Sequence, residues 1–170
     1  LIAGINVIRR SRSGWVLASI LTACATLYRQ AFELQLKNMI RCFVALRANY
    51  VDGRAPELRQ SDSEEYLKNK LGHDLHKLLD QVKKHYTALD LPEPFPKSVE
   101  NMIVMLHEAD RSGTAFRCAG SLPETKEYVD FPDLATMLDK AYTLLSDVMY
   151  YAEDMHDSVP TLDEATDQAY

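Results

Sequence analysis

Residues Asp133–Met155 read DLATMLDKAYTLLSDVMYYAEDM. Apolar side chains recur in this stretch at Leu134, Met137, Leu138, Ala141, Leu144, Leu145, Val148, Ala152 and Met155. Steps of three and four residues put these positions on one face of an α-helix, whereas a strand would alternate every second residue. A helix this long cannot leave such a face in water, so it has to pack on other helices or on a sheet. Pro132 suits the first turn of that helix, because its missing amide proton has no partner there anyway.

Three further stretches carry the same period. Leu75, Leu78, Leu79, Val82, Tyr86 and Leu89 form a second stripe, closed by the proline-rich run Leu91–Pro96. Val99, Met102, Ile103, Leu106 and Ala109 form a third, with Ser98 and Asn101 at its start and an expected end near Arg111–Gly113. The longest runs from Trp15 to Ala48, with Leu17, Leu21, Cys24, Tyr28, Ala31 or Phe32, Leu36, Ile40 and Phe43 on its apolar face. A helix of that length spans roughly 50 Å, so a bend or break near Ala31 is expected. Between the first and second of these helices, Asn49–Gln60 reads as a loop. Ser61 and Glu64 then have the spacing of a capping box for a short helix ending before Gly72. Asp74 can cap the next start.

Thr114–Phe131 has no helical period, and its two short apolar runs predict a small extended or hairpin insert before the last helix. The expected fold is therefore all-α: an up-and-down four-helix bundle with that insert. The expected organisation is a basic segment at 1–14, the bundle at 15–156 and an acidic tail at 157–170.

Composition agrees with a packed domain. The 170 residues are 46% hydrophobic and 26% charged, with only 6 Gly and 7 Pro. A net charge of -6 gives no overall steering toward nucleic acid, so any such binding needs a local basic patch. The charge is also polarised along the chain. Leu1–Phe32 holds arginines and no acid, whereas the tail from Asp157 holds acids and no base. Solvated ends, pairing within the chain and pairing with a second copy all accommodate this. The odd set Cys24, Cys42 and Cys118 lacks any Cys-x-x-Cys pair and reads as reduced, buried thiols. Leu21–Cys24 follows a basic, apolar run like a lipoprotein leader, yet the helical pattern continues unbroken through Phe43. The apolar run is too short to span a bilayer, so a cytoplasmic chain without a membrane segment is expected.

Several polar residues stand apart from this scheme. Arg29, Glu33, Lys37 and Arg41 recur every four residues on one side of the first helix, and Glu33 before Lys37 is the favourable order for a helical ion pair. They form either a surface ladder or a polar pocket facing the Gly72–His73–Asp74 turn. His73 is either part of a helix start or a base or ligand contact. Arg117, framed by Phe116 and Cys118, suits either a phosphate or carboxylate ligand or an ion pair with Glu33. Tyr128, Tyr142, Tyr150 and Tyr151 fit the rim of a bundle or stacking on bases. No Gly-rich phosphate loop, nucleophile elbow or metal-ligand cluster is present, so no cofactor or metal is expected.

The order of these features resembles the HEPN domains, the higher-eukaryote and prokaryote nucleotide-binding helical bundles. Ala31-Phe32-Glu33-Leu34-Gln35-Leu36-Lys37 is similar to their alanine–glutamate–leucine–x–leucine–lysine helix, and Gly72-His73-Asp74-Leu75 to the turn that follows it. Phe116-Arg117 stands where many members carry an arginine–aromatic motif. The resemblance covers about Trp15–Met155. It implies a helical bundle of bacterial defence or toxin–antitoxin systems that works as a homodimer or beside a partner such as a nucleotidyltransferase.

Many members of that family cleave RNA without metal through an arginine followed four to six residues later by a histidine. None of the 5 histidines here has an arginine at that spacing. The resemblance therefore implies a non-catalytic protein binding RNA, a nucleotide or a protein partner through Glu33, Lys37, His73, Arg111 and Arg117. The alternatives are a metal-independent ribonuclease with a rearranged site, His73 being its candidate catalytic residue, and a purely structural helical adaptor.

Overall fold

A computed structural model describes residues 12–53, 57–110, 131–157 and 159–167, with side chains described from residue 23 onward apart from that of residue 131. It is all-helical. The elements are α1 (Arg12–Tyr50), a 3₁₀ turn at Gln60–Asp62, α2 (Ser63–Tyr66) continuing as a π-turn over Leu67–Leu71, α3 (Leu75–Ala88), α4 (Lys97–Ala109), α5 (Phe131–Asp157) and α6 (Leu162–Asp167).

Helix directions follow from side-chain contacts. Arg29 reaches His73 and Arg47 reaches His85, so α1 and α3 run parallel. Phe32 meets Tyr142 and Tyr50 meets His156, so α5 also runs with α1. Tyr86 meets Phe95 and His76 meets His107, which makes α4 antiparallel to α3. Arg41 holds Glu64 before Arg29 meets His73, so the short α2 and π-turn descend along α1. The alternation thus runs over five segments, α1, α2 with its π-turn, α3, α4 and α5. The short descending segment returns the chain to the low end, which lets two long helices lie parallel.

The core consists of Phe32, Leu36, Met39, Ile40 and Phe43 of α1 against Leu75, Leu78 and Val82 of α3, Val99 and Ile103 of α4 and Leu145 of α5. These side chains are fully buried, each removing about 1.5–3 kcal/mol worth of apolar surface from water. Helix α1 runs without the expected break. It has neither Gly nor Pro beyond Gly14, and α3 and α5 support its two flanks. The buried face of α5 is narrower than its sequence stripe: Met137, Leu144 and Met155 are exposed, while Met149 joins the core.

Two helix starts differ from expectation. Glu64 gives both carboxylate oxygens to Arg41, and a bidentate charged pair outcompetes the neutral amide that a capping box would offer it. Ser61 bonds Asp62 instead. Helix α4 opens at Lys97 behind Pro96 rather than at Ser98. The acidic tail, in contrast, contains a real capping box. Thr161 Oγ1 accepts from the Glu164 amide at 3.3 Å and Glu164 Oε2 accepts from the Thr161 amide at 2.9 Å, opening α6. The Thr114–Phe131 insert falls almost wholly outside the described residues, and Phe131 itself already belongs to α5.

Candidate functional site

The low end of the bundle gathers the polar residues of α1 around the turn before α3. The π-turn closes with the Gly72 amide on the Leu67 carbonyl at 2.9 Å and buries both Leu67 and Leu71. Gly72 then takes φ 57, ψ -121, a conformation that side chains with a Cβ avoid. Asp74 follows as the cap of α3, accepting from the His76 and Lys77 amides at 3.0 and 3.1 Å. Between these two fixed residues His73 is thrown outward, its side chain 71% exposed.

Glu33 lies beneath it, buried, and both of its oxygens are used. Oε1 accepts from Lys37 Nζ at 2.7 Å and from His73 Nδ1 at 2.8 Å, while Oε2 accepts from Arg29 at 3.3 Å. Burial pushes the Glu33 carboxyl up, but the hydrogen bonds from Lys37 and His73 and the charge of Lys37 outweigh it and hold it below the usual range. A carboxylate can only accept, so His73 donates through Nδ1–H. The neutral imidazole therefore carries its lone pair on Nε2, on the solvent side.

Arg29 locks this corner together. It is 3% exposed and donates to the His73 carbonyl at 2.8 Å, to Glu33, and to the Asp110 carbonyl at 3.1 Å. Helices α1 and α4 and the turn before α3 thus share one guanidinium. His107 Nδ1 lies 3.6 Å from Asp74 Oδ1 on the flank.

Three of the five residues expected from sequence, Glu33, Lys37 and His73, meet here in one cluster. The surface-ladder reading holds only for Arg41, which turns to Glu64. Arg111 follows Asp110 directly in the chain, and Arg111 and Arg117 lie outside the described residues. Arg29 was visible as the first member of the four-residue series, but nothing local marked it as the central one.

A second polar centre, absent from the sequence reading, sits at the high end. Arg47 and His85 are both buried, and Arg47 donates to His85 Nδ1 at 2.9 Å. Arg47 also pairs with Asp52 at 2.9 Å, and Glu57 joins Lys84 alongside. Burial, with the charges of Arg47 and Lys84, pulls the His85 imidazole down to about 4 against the weaker pull of Glu57 and Asp52.

Cys24 and Cys42 are free and half-buried rather than buried. Burial and the neighbouring Glu153 push the Cys42 thiol up to about 12, which leaves it unreactive at neutral pH. Among the described residues no group of His, Cys, Asp and Glu suits a metal ion, and no helix is long and apolar enough to cross a membrane. No family model matches the chain, and neither does a curated protein or a solved structure.

Proposed function

We propose that the chain is a non-catalytic HEPN-like protein that binds RNA at the His73–Glu33–Lys37 corner, as a homodimer or beside a partner subunit in a bacterial defence or toxin–antitoxin setting. The observation that carries this reading is the exposed His73 imidazole, held through Nδ1 by a buried carboxylate 2.8 Å away. The two sequence motifs that suggested the family supply its two halves. A neutral imidazole held this way offers an acceptor to solvent, and the ribose 2′-hydroxyl is the donor that separates RNA from DNA. Lys77, 60% exposed on the next turn, supplies a cation for the adjoining phosphate. The amides of the α3 start are already taken by Asp74, so the anion has to be met by side chains.

Fluorescence anisotropy with a single-stranded RNA and the DNA of the same sequence tests this. RNA should bind more tightly, and His73→Ala should weaken RNA binding about tenfold while leaving DNA unchanged. Equal affinity for both polymers in the wild-type chain would remove the reading. No binding to either would favour a protein partner or a structural adaptor.

A second reading has its own support. A carboxylate-oriented imidazole with a solvent-facing Nε2 is also the arrangement of a general base, and the same 2′-hydroxyl would be its target. Incubation with transfer RNA in chelator separates the two: cleavage that vanishes in His73→Ala makes the protein a metal-independent ribonuclease, and intact RNA leaves it a binder.

A further inference from the structure

Helix α1 runs past the bundle at the low end. Arg29 meets both the turn before α3 and the end of α4, through the His73 and Asp110 carbonyls, so residues 12–28 lie beyond both helices. Phe32 meets Tyr142, eleven residues after the start of the parallel α5. That start is therefore level with about Leu21, eleven residues before Phe32 on α1. Among the described residues no other helix reaches the level of residues 12–20. Between Arg12 and Arg29 the sequence carries no charge. A projecting helix without charge over several turns marks a surface that another molecule covers.

The face that carries this arm on along the bundle is bare as well. Leu34 and Leu27, 65% and 64% exposed, are the most exposed large apolar side chains among the described residues, and they stand seven apart on one face. Val16, Ile20, Ala23, Leu27, Gln30 and Leu34 step by four and three in alternation, the spacing of a helix–helix seam. Gln30 is its one polar member, of the kind that fixes register at some cost in affinity. Lys37 and Arg41 come next in the series and end the stripe with charge. The bundle uses a different face of α1, that of Ala25, Phe32, Leu36 and Phe43.

We propose that the stripe is the seam of a homodimer in which two α1 helices pair antiparallel about a two-fold axis near Ala25, each copy laying its arm along the bundle of the other. The stripe is self-complementary in that order. Leu27 falls opposite the small Ala23 of the second copy, and Leu34 opposite its Val16. Charge selects the same direction. Asn38 and Cys42 of α1 are flanked by Met149 and Glu153 of α5, and residues 143–157 carry Asp147, Glu153, Asp154 and Asp157 with no lysine or arginine. The antiparallel order brings Arg12 of the second copy, with Arg9 and Arg10 just before it in the sequence, to that level. A parallel pair would set Arg12 against Arg12. The pairing does not depend on what His73 binds, so its failure leaves the RNA reading standing.

Sedimentation velocity of the full chain at micromolar concentration tests the seam. The wild type should be a dimer. Leu34→Glu and Val16→Lys should each be monomeric, with the dissociation constant raised about a hundredfold. An equimolar mixture of the two variants should recover the dimer. The antiparallel order sets the two substituted positions against each other, opposite in charge, and keeps the native pair at the other end. A mixture that stays monomeric overturns the antiparallel seam. A wild-type monomer overturns the pairing altogether, and so do two variants that remain dimeric. A wild-type monomer that floats with phosphatidylglycerol vesicles assigns the arm to a lipid surface instead. Circular dichroism of each variant separates lost pairing from lost helix.

Discussion

Replacing Arg29 with methionine lowers stability by about 3–5 kcal/mol, the usual consequence of removing one partner from a buried ion pair. Methionine matches the length of the side chain but leaves three acceptors behind. The His73 and Asp110 carbonyls each lose the guanidinium donor, the buried Asp110 carboxylate loses an ion pair at 3.7 Å, and Glu33 keeps its charge in a buried position with Lys37 and His73 against it. At this chain length each kcal/mol moves the midpoint by roughly 2–4 °C, so thermal unfolding should come about 10 °C earlier. Arg29→Lys should recover little, because one ammonium cannot span three acceptors in a fixed fork. Arg29→Met with Glu33→Leu should be less damaging than Arg29→Met alone, since Glu33, one of the two buried carboxylates that pair with Arg29, is then gone. A loss below about 1 kcal/mol for the single variant would mean that water satisfies the same groups once the guanidinium is removed.

The second large effect is acid lability from His85. Its folded-state value lies near 4, below the ordinary 6.5, so the fold favours the neutral ring. Protonation is then easier in the unfolded chain than in the folded one. The resulting stabilisation is present in full above about pH 6.5 and is lost as pH falls from there to about 4. The difference amounts to about 3 kcal/mol. The geometry gives the same sign: Arg47 already donates to Nδ1, and a proton there would set two donors against each other. Urea unfolding at pH 7, 5.5 and 4 should trace this loss. His85→Gln, whose amide oxygen can accept from Arg47, should flatten the curve across that window. A wild-type chain equally stable at pH 7 and pH 4 would mean that the imidazole is hydrated in the folded state.

Helices α3, α4 and α5 were legible because their faces repeat over several turns, and the Asp74 cap because its signal is confined to three residues. The π-turn was not, since an amide closing five residues back leaves no periodic trace in a segment as short as Leu67–Leu71. Sequence pairs Glu64 with Ser61 because it shows neighbours alone; the stronger partner, Arg41, lies in another helix. The same limit explains the two polar centres. Glu33 and Lys37 declared themselves by spacing, and His73 by its turn. Their meeting, however, depends on the register between α1 and α3, which the core residues Leu36, Ile40, Leu75 and Leu78 set together. Arg47 and His85 had no local signal at all.

The parallel placement of α1 and α5 also has a kinetic consequence. The α3–α4 pair is local, joining Tyr86 to Phe95 across a short proline-rich link, and its closure costs little chain entropy. Phe32 and Tyr142, in contrast, meet across most of the sequence. The hairpin should therefore organise early, and α5 should dock on α1 after the rate-limiting barrier. Loosening the Phe32–Tyr142 contact, by Tyr142→Leu, should accelerate unfolding in a chevron experiment with the refolding limb nearly unmoved, and a slowed refolding limb would reverse that order. The lifetime of the native state is then set by the seam between the first long helix and the last one, and by how long that seam stays shut.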